Sequence, residues 1–509
     1  MGNTLEHKVA SSNSKIEARK RTISKNSLKN SLLQLECYFT WTLLKEDIDI
    51  ACLEESIADQ IEFFIKPNIT NYNLLSYVCH LKHSDEEALE NLQKAEEEVK
   101  KHYPNEVDRR SLITWGNYAW IYYHMGRYEE AQAYIDKVEN SCKKLSTTAQ
   151  LKVQLPEIYA EQGFALLKFG GKYYKRAKEC FENALKKEPN NPEFNAGYAI
   201  AVYRLEEFSY RRCEEVNPSL EPLKRALELN PMDTYLLALL ALKLQDLNQV
   251  EEAERCIEEG MQKTPYLPYF LRYAAKFYRR KRELDKAQKI LERALEISPN
   301  STFLLHQLGL CYRSKLFELK NSTRYPPEDQ IKELIQICIS HFKEVTEQKP
   351  KFFSALTDLA RMYAEAKMYR EAEETFQKAM NVNILSCSDK QEICFFYGYF
   401  LQHQKKSESE AIKYYTEGLK NGNYMFAKKI RKYLKRLLEK RIQEGIGDEK
   451  DFGTLGFIHQ LDGERLEAIE CYEKANEYDP DNEEFLSALC ELRLSLSEAN
   501  PNPSQQKHI

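Results

Sequence analysis

A spacing constrains this chain more than its composition does. Ala275, Tyr278, Ala287, Leu291, Ala294 and Pro299 stand at positions eight, eleven, twenty, twenty-four, twenty-seven and thirty-two of a stretch of about 34 residues. Small residues at these places let two helices touch. The same register fits Gly456, Ala468, Tyr472, Ala475 and Pro480; it fits Ala360, Tyr363, Ala372, Phe376 and Ala379; and it fits Trp115, Ala119, Tyr122, Ala131 and Ile135. Weaker copies begin near Asn73, Pro156, Pro192, Thr234, Thr302 and Glu392. A helical hairpin of this size cannot bury its apolar face alone, so the copies have to stack.

This is the register of the tetratricopeptide repeat, and it predicts roughly nine or ten hairpins in an all-α solenoid, a superhelix that binds rather than catalyses. Length alone suggests about three domains at roughly 150 residues each, but a solenoid buries its core between neighbours and runs on as one body.

The formal charge of -5, from 74 basic and 79 acidic residues, names no partner, so the distribution of charge matters more than its sum. The 13 cysteines include no CxxC pair, which favours reduced thiols over a disulfide framework or a zinc site. No apolar run approaches the roughly 18 residues of a membrane span, and the amino terminus lacks a signal-peptide core, so a soluble, cytoplasmic protein is expected. Glu6 stands where myristoylation wants Ser or Thr.

Catalytic patterns are poor, and the chain reads as no enzyme. In Lys168-Phe-Gly-Gly-Lys172 the first glycine of a phosphate loop would have to be Leu166, and Tyr173 replaces its Ser or Thr; the stretch reads as a turn between helices. Cys79, His80 and His83 lack a second ligand pair, so packing or solvent-facing roles are favoured.

The groove-facing positions are more pointed. In the copy anchored by Ala275 they hold Tyr269, Arg272, Lys276, Arg279 and Arg280; the next copy offers Phe303, His306 and Arg313, with Gln307 beside them. Phe164 and Lys168 share a face at i and i+4, as do Ile200 and Arg204. Cations neutralise phosphates while aromatic and guanidinium planes stack bases, which is the chemistry of single-stranded nucleic-acid binding. Any one of these residues reads as readily as core or solvated surface; the cluster does not. A second basic run, Lys428, Lys429, Arg431, Lys432, Lys435, Arg436, Lys440 and Arg441, either extends that path or is a solvated face.

Leu35-Glu-Cys-Tyr-Phe-Thr-Trp41, Ser111-Leu-Ile-Thr-Trp-Gly-Asn-Tyr-Ala-Trp120, Ala165-Leu-Leu-Lys-Phe-Gly-Gly-Lys172 and Arg272-Tyr-Ala-Ala-Lys-Phe-Tyr-Arg-Arg-Lys281 resemble the interferon-induced proteins with tetratricopeptide repeats, from about Ser27 to Ser497. The ending Glu484-Phe-Leu-Ser-Ala-Leu-Cys-Glu-Leu-Arg-Leu494 is most similar to the fifth member. The resemblance implies an antiviral effector of innate immunity that takes the 5'-triphosphate end of foreign single-stranded RNA into a positively charged tunnel enclosed by helical lobes, sparing self RNA with its modified end. It places Ser56, Gln60, Lys168 and Arg204 at the 5'-phosphates. It places Phe164, Tyr174, Tyr269, Arg272, Tyr273, Lys276, Arg279, Phe303, His306 and Gln307 along the first nucleotides.

Three departures from the family accompany this. Phe164 stands where the cap-binding member stacks a Trp, and Phe64 where it packs a Leu. The acids that the fifth member uses near a phosphate-bound metal fall around Cys52, with Glu54 and Glu55 close by, so no resident cofactor is expected and a magnesium ion bridging the triphosphate stays open. Ser354 and Lys349 replace an aromatic and an acidic residue of that member's RNA path. Capped RNA lacking 2'-O-methylation, bound so as to block translation, is the alternative ligand, and a peptide-binding scaffold is the alternative class. Family members and host proteins are the expected protein partners; no membrane is.

The expected organisation is a flexible basic arm over 1–28, carrying Lys15, Arg19, Lys20, Arg21 and Lys25; an amino-terminal lobe over 29–152; a middle lobe over 153–267; a pivot repeat over 268–302; a carboxy-terminal lobe over 303–497; and a polar tail over 498–509.

Overall fold

The computed structural model describes residues 25–63, 68–145, 155–208, 217–322, 327–383, 385–422 and 425–499; most of the basic arm, most of the tail and Phe64 lie outside the described residues. Among the described residues all regular structure is helical. The chain divides into two compact units, Met1–Asn321 and Ser322–Ile509. The division falls inside the stretch expected as a single carboxy-terminal lobe.

In the first unit, helical residues 25–32 bury Leu28, so the last four residues of the expected arm belong to the folded body. Helix α1 (Ile50–Phe63) comes next, then the hairpins α2/α3 (Ile69–Leu81, Asp85–His102) and α4/α5 (Leu112–His124, Tyr128–Leu145). Beyond them lie α6/α7 (Pro156–Lys168, Tyr174–Leu185), α8/α9 (Pro192–Phe208, Leu220–Leu229), α10/α11 (Thr234–Asp246, Val250–Lys263), α12/α13 (Pro268–Arg280, Leu284–Ile297) and α14 (Thr302–Ser322). Helices start at Pro156, Pro192, Thr234, Pro268 and Thr302, the positions at which the repeats begin in the sequence. Proline suits a first helical turn because its missing N–H would have no partner there, and its φ is already helical.

The close approach of α6 and α8 depends on two glycines. The fully buried Phe181 ring of α7 packs against Gly163 on α6 and Gly197 on α8. A Cβ at Gly163 would lie 2.7 Å from that ring and one at Gly197 2.1 Å, distances no side chain tolerates. Lys168 and Arg204, one turn or two further along these helices, are brought near each other by that packing. Gly170, at φ 92°, then ends α6, so the Lys168-to-Lys172 stretch is the turn its glycines imply.

The second unit holds α15 (Glu328–Gln348), the hairpins α16/α17 (Phe353–Glu365, Tyr369–Met380) and α18/α19 (Cys387–Phe400, Glu408–Lys420), the single helix α20 (Ala427–Gln443), and α21 (Glu449–Asp462), α22 (Arg465–Tyr478) and α23 (Glu483–Ala499). Phe376, Phe400, Tyr397 and Tyr415 fill its main core. The described cysteines form no disulfide with one another, and no described helix is long and apolar enough to cross a membrane.

Candidate nucleic-acid interface

Eight helices of the first unit, α1, α2, α6, α7, α8, α10, α12 and α14, contribute to the lining of a cavity of about 580 Å³. Ser56 and Gln60, a turn apart on α1, line it with Phe164 and Lys168 of α6, Arg204 of α8, Tyr269 and Arg272 of α12, and Phe303 of α14; Tyr174, at the start of α7, completes this set. Thus nine of the side chains expected at RNA share one wall. Tyr273 lies just behind it, 5% exposed. Lys276 extends the α12 stripe by one turn, where burial lowers the pKa of its ammonium. Arg279 lies within 3.5 Å of Gln307, giving a weak contact at the far end, and His306 is buried.

The polar contacts converge. The Lys168 Nζ donates to Ser56 Oγ at 3.1 Å. Arg204 donates to the hydroxyls of Tyr235 (3.1 Å) and Tyr273 (2.8 Å), and Arg272 donates to the same Tyr273 oxygen at 3.2 Å. The Arg272 guanidinium lies 5.1, 5.0 and 5.2 Å from the ring centres of Tyr269, Tyr273 and Phe303, so aromatic faces hold it in place.

Electrostatics follow from that crowding. Burial, reinforced by Arg204 and Arg272 against the pull of Tyr273 and Asp59, brings the Lys168 ammonium down to about 8. Burial alone would raise the Tyr273 phenol; Arg204, Arg272 and Lys276 overturn that and bring it to about 6. Tyr235 and Tyr273 hold the Arg204 guanidinium firmly charged. The nearest carboxylate to Arg204 is Glu207, at 3.6 Å. Such a pocket favours an anion, because each cation has given up hydration that an incoming phosphate restores.

Tyr235 was not singled out in the sequence, although it occupies position two of its repeat, as Tyr269 and Phe303 do of theirs. Its ring stands 4.9 Å from Tyr269 and 5.5 Å from Tyr273. Asp59, Glu193 and Asp233 also line the cavity; Asp233 caps α10 by accepting from the Leu236 N–H at 3.2 Å.

The acids near Cys52 are occupied. Glu54 pairs with Lys82 at 2.7 Å, and Glu55 accepts from the backbone N–H (3.0 Å) and hydroxyl (2.8 Å) of Thr302. Among the described residues no group of three or more His, Cys, Asp or Glu is placed to hold a metal ion. The donor set does not fit a preformed metal centre.

A helical-hairpin solenoid with a basic, aromatic-lined pocket defines a tetratricopeptide-repeat ligand-binding protein, and the tetratricopeptide-repeat family model matches residues 113–143, 274–301 and 452–482. Protein IFIT1 homolog B of Homo sapiens is 46% identical over 88% of this chain and 96% of its own length. The antiviral innate immune response effector IFIT1 of Homo sapiens is 45% identical over 88% and 95%. The chain belongs to the interferon-induced proteins with tetratricopeptide repeats. Among solved structures it is similar to the human IFIT1 dimer with PPP-AAAA, at TM-score 0.76 and 44% identity over 88% of this chain and 99% of that one. It is also similar to the human IFIT1 dimer with m7Gppp-AAAA, at TM-score 0.79 and 44% identity over the same shares.

Proposed function

We propose that this protein is an antiviral RNA-binding protein of innate immunity, acting in the cytoplasm, that captures the 5'-triphosphate end of single-stranded RNA with little regard to sequence. One observation carries the reading: Lys168, Arg204 and Arg272 converge on a single cavity that Phe164, Tyr174, Tyr235, Tyr269 and Phe303 also line. Lys168, Arg204, Ser56 and Gln60 hold the phosphates through charge-assisted and neutral hydrogen bonds. Tyr269, Phe303, Phe164 and Tyr174 offer faces to the leading bases, and Lys276, Arg279, His306 and Gln307 guide the nucleotides behind them. The complex of the similar human IFIT1 with PPP-AAAA supports this ligand class.

On this reading the protein acts by binding and needs no resident cofactor, and magnesium enters as a counter-ion of the triphosphate. A second reading keeps the pocket and changes the end. Phe164 and Ile200 both line the cavity, and the similar human IFIT1 is solved with m7Gppp-AAAA, so capped RNA lacking 2'-O-methylation is the alternative, with blocked translation as its consequence.

One short RNA carrying a 5'-triphosphate, 5'-hydroxyl or cap-0 end, measured for binding at two salt concentrations, tests both. Preference for the triphosphate, with affinity falling steeply as salt rises, is expected. Preference for the cap moves Phe164 to the centre, and no binding to any form leaves a peptide-binding scaffold.

A further inference from the structure

The most unusual atom in the pocket is the hydroxyl oxygen of Tyr273. Two different guanidinium groups donate to it, Arg204 at 2.8 Å and Arg272 at 3.2 Å, and the side chain is buried. Its own hydrogen has no protein acceptor among the described residues. A neutral phenol in this place accepts two charged donors while its proton points into a field of cations; a phenolate has no such conflict.

Counter-charge is scarce around it. Lys168 faces it from α6, Arg204 and Glu207 from α8, Tyr235 from α10, and Tyr269, Arg272 and Lys276 from its own helix. Arg272 has no carboxylate partner among the described residues, and Arg204 reaches only Glu207. Asp59 acts on Lys168. Two carboxylates, Glu207 and Asp59, act on these cations, and Glu193 and Asp233 line the same cavity, while both arginines donate to one phenol.

We propose that Tyr273 is a built-in stand-in for a phosphate: in the empty site its phenolate oxygen holds Arg204 and Arg272, and an arriving phosphate takes those donors while Tyr273 takes a proton from solvent. No covalent bond of the ligand forms or breaks; the N–H donors move from phenolate to phosphate oxygen, and one proton is bound per anion captured. The depressed phenol described above agrees with this arrangement.

A tyrosine suits the task better than an aspartate would. A carboxylate, ordinarily ionised above about 4, would stay charged beside the incoming phosphate and repel it. A phenol, ordinarily neutral below about 10, regains its proton once the cations are taken, and so removes itself as a competitor. The arginines are thereby kept aimed without a permanent anion in the site. This rests on the proposed phosphate-binding role of the pocket.

Tyrosinate has a red-shifted near-ultraviolet band, and subtracting the Tyr273→Phe spectrum removes the other phenols among the 32 tyrosines. In the free protein the difference band should appear well below the ordinary range near 10. Saturating inorganic tripolyphosphate at pH 8, which does not absorb there, should bleach it. Arg272→Gln should move its midpoint up by about one pH unit or more, and this serves as the second reading if Tyr273→Phe does not fold. A wild-type band that appears only in the ordinary range overturns the inference, as does a low-pH band indifferent to tripolyphosphate. Because neither measurement uses RNA, failure of the RNA reading leaves this one decided on its own terms.

Discussion

Two concentrations of positive charge in this molecule are built on opposite plans. In the first unit, Lys168, Arg204, Arg272 and Lys276 come from three helices, are partly or largely withdrawn from water, and meet tyrosines more often than carboxylates. In the second unit, α20 carries eight basic residues, of which four are paired: Arg431 with Asp462, Lys435 with Glu464, Lys440 with Glu408 and Arg441 with Asp451. Lys428, Lys432 and Arg436 are exposed at successive turns, where ions stay hydrated and salt screens them. A count of charges ranks α20 first. Desolvation and unmet pairing rank the pocket first, because a buried, under-compensated cation gains far more from an anion than a solvated one.

The contrast is sharpest at Arg204. Arg204→Ala should lower affinity for 5'-triphosphate RNA by about a hundredfold while 5'-hydroxyl RNA loses little. Equal losses for both ends in a direct binding titration would remove Arg204 from the end-reading group.

Next comes the packing that brings the cations together. Gly197→Ala drives a methyl into the Phe181 ring, so it should cost about 2 to 3 kcal/mol in urea unfolding and weaken triphosphate binding as α6 and α8 part. Full stability would mean the ring has somewhere to go.

Burial also acts on an acid beside the pocket. Glu161, on α6, accepts from the Asn73 amide at 2.9 Å, and burial pushes its carboxyl up to about 7. A raised carboxyl favours the neutral form, so its contribution to stability is fully present below the ordinary range near 4 and is lost as pH rises through about 7. Glu161→Gln should therefore stabilise by on the order of 2 kcal/mol at pH 8 and by little at pH 4. The same gain at both pH values would show that charge is not the cause.

The smallest effect belongs to the solvated face. Replacing Lys428, Lys432 and Arg436 together by Ala should change the triphosphate-to-hydroxyl preference by less than about twofold. A larger change would place α20 in the end-reading site and break the contrast.

Much of this was legible in the chain. Helix starts at Pro156, Pro192, Thr234, Pro268 and Thr302 followed from the repeat register, whereas α2 and α18 begin at Ile69 and Cys387, ahead of the copies expected near Asn73 and Glu392. Positions nine and thirteen of successive copies put Phe164 with Lys168 and Ile200 with Arg204 on the cavity wall, because helical periodicity fixes which side chains share a face. Tyr235 is readable by the same register, at position two of its copy like Tyr269 and Phe303. The pairing of α20 was not readable: its carboxylate partners come from α19, α21 and the turn before α22, and one-dimensional spacing carries no information about neighbours across helices. Nor did composition reveal that two arginines share one phenol.

The bond between Glu55 and Thr302 spans 247 residues, in an architecture whose contacts are otherwise mostly between neighbouring repeats. Helical hairpins can form as the chain emerges from the ribosome, but this latch cannot close until its second half has been made, and closing so long a loop is slow. The pocket it borders is thus the last part of the first unit to mature. On refolding, helical signal should return before ligand binding does, and Glu55→Gln should widen that delay without reducing the helical signal; simultaneous recovery in both proteins would show that the latch closes nothing. A nascent chain is accordingly a stack of helices before it is a receptor.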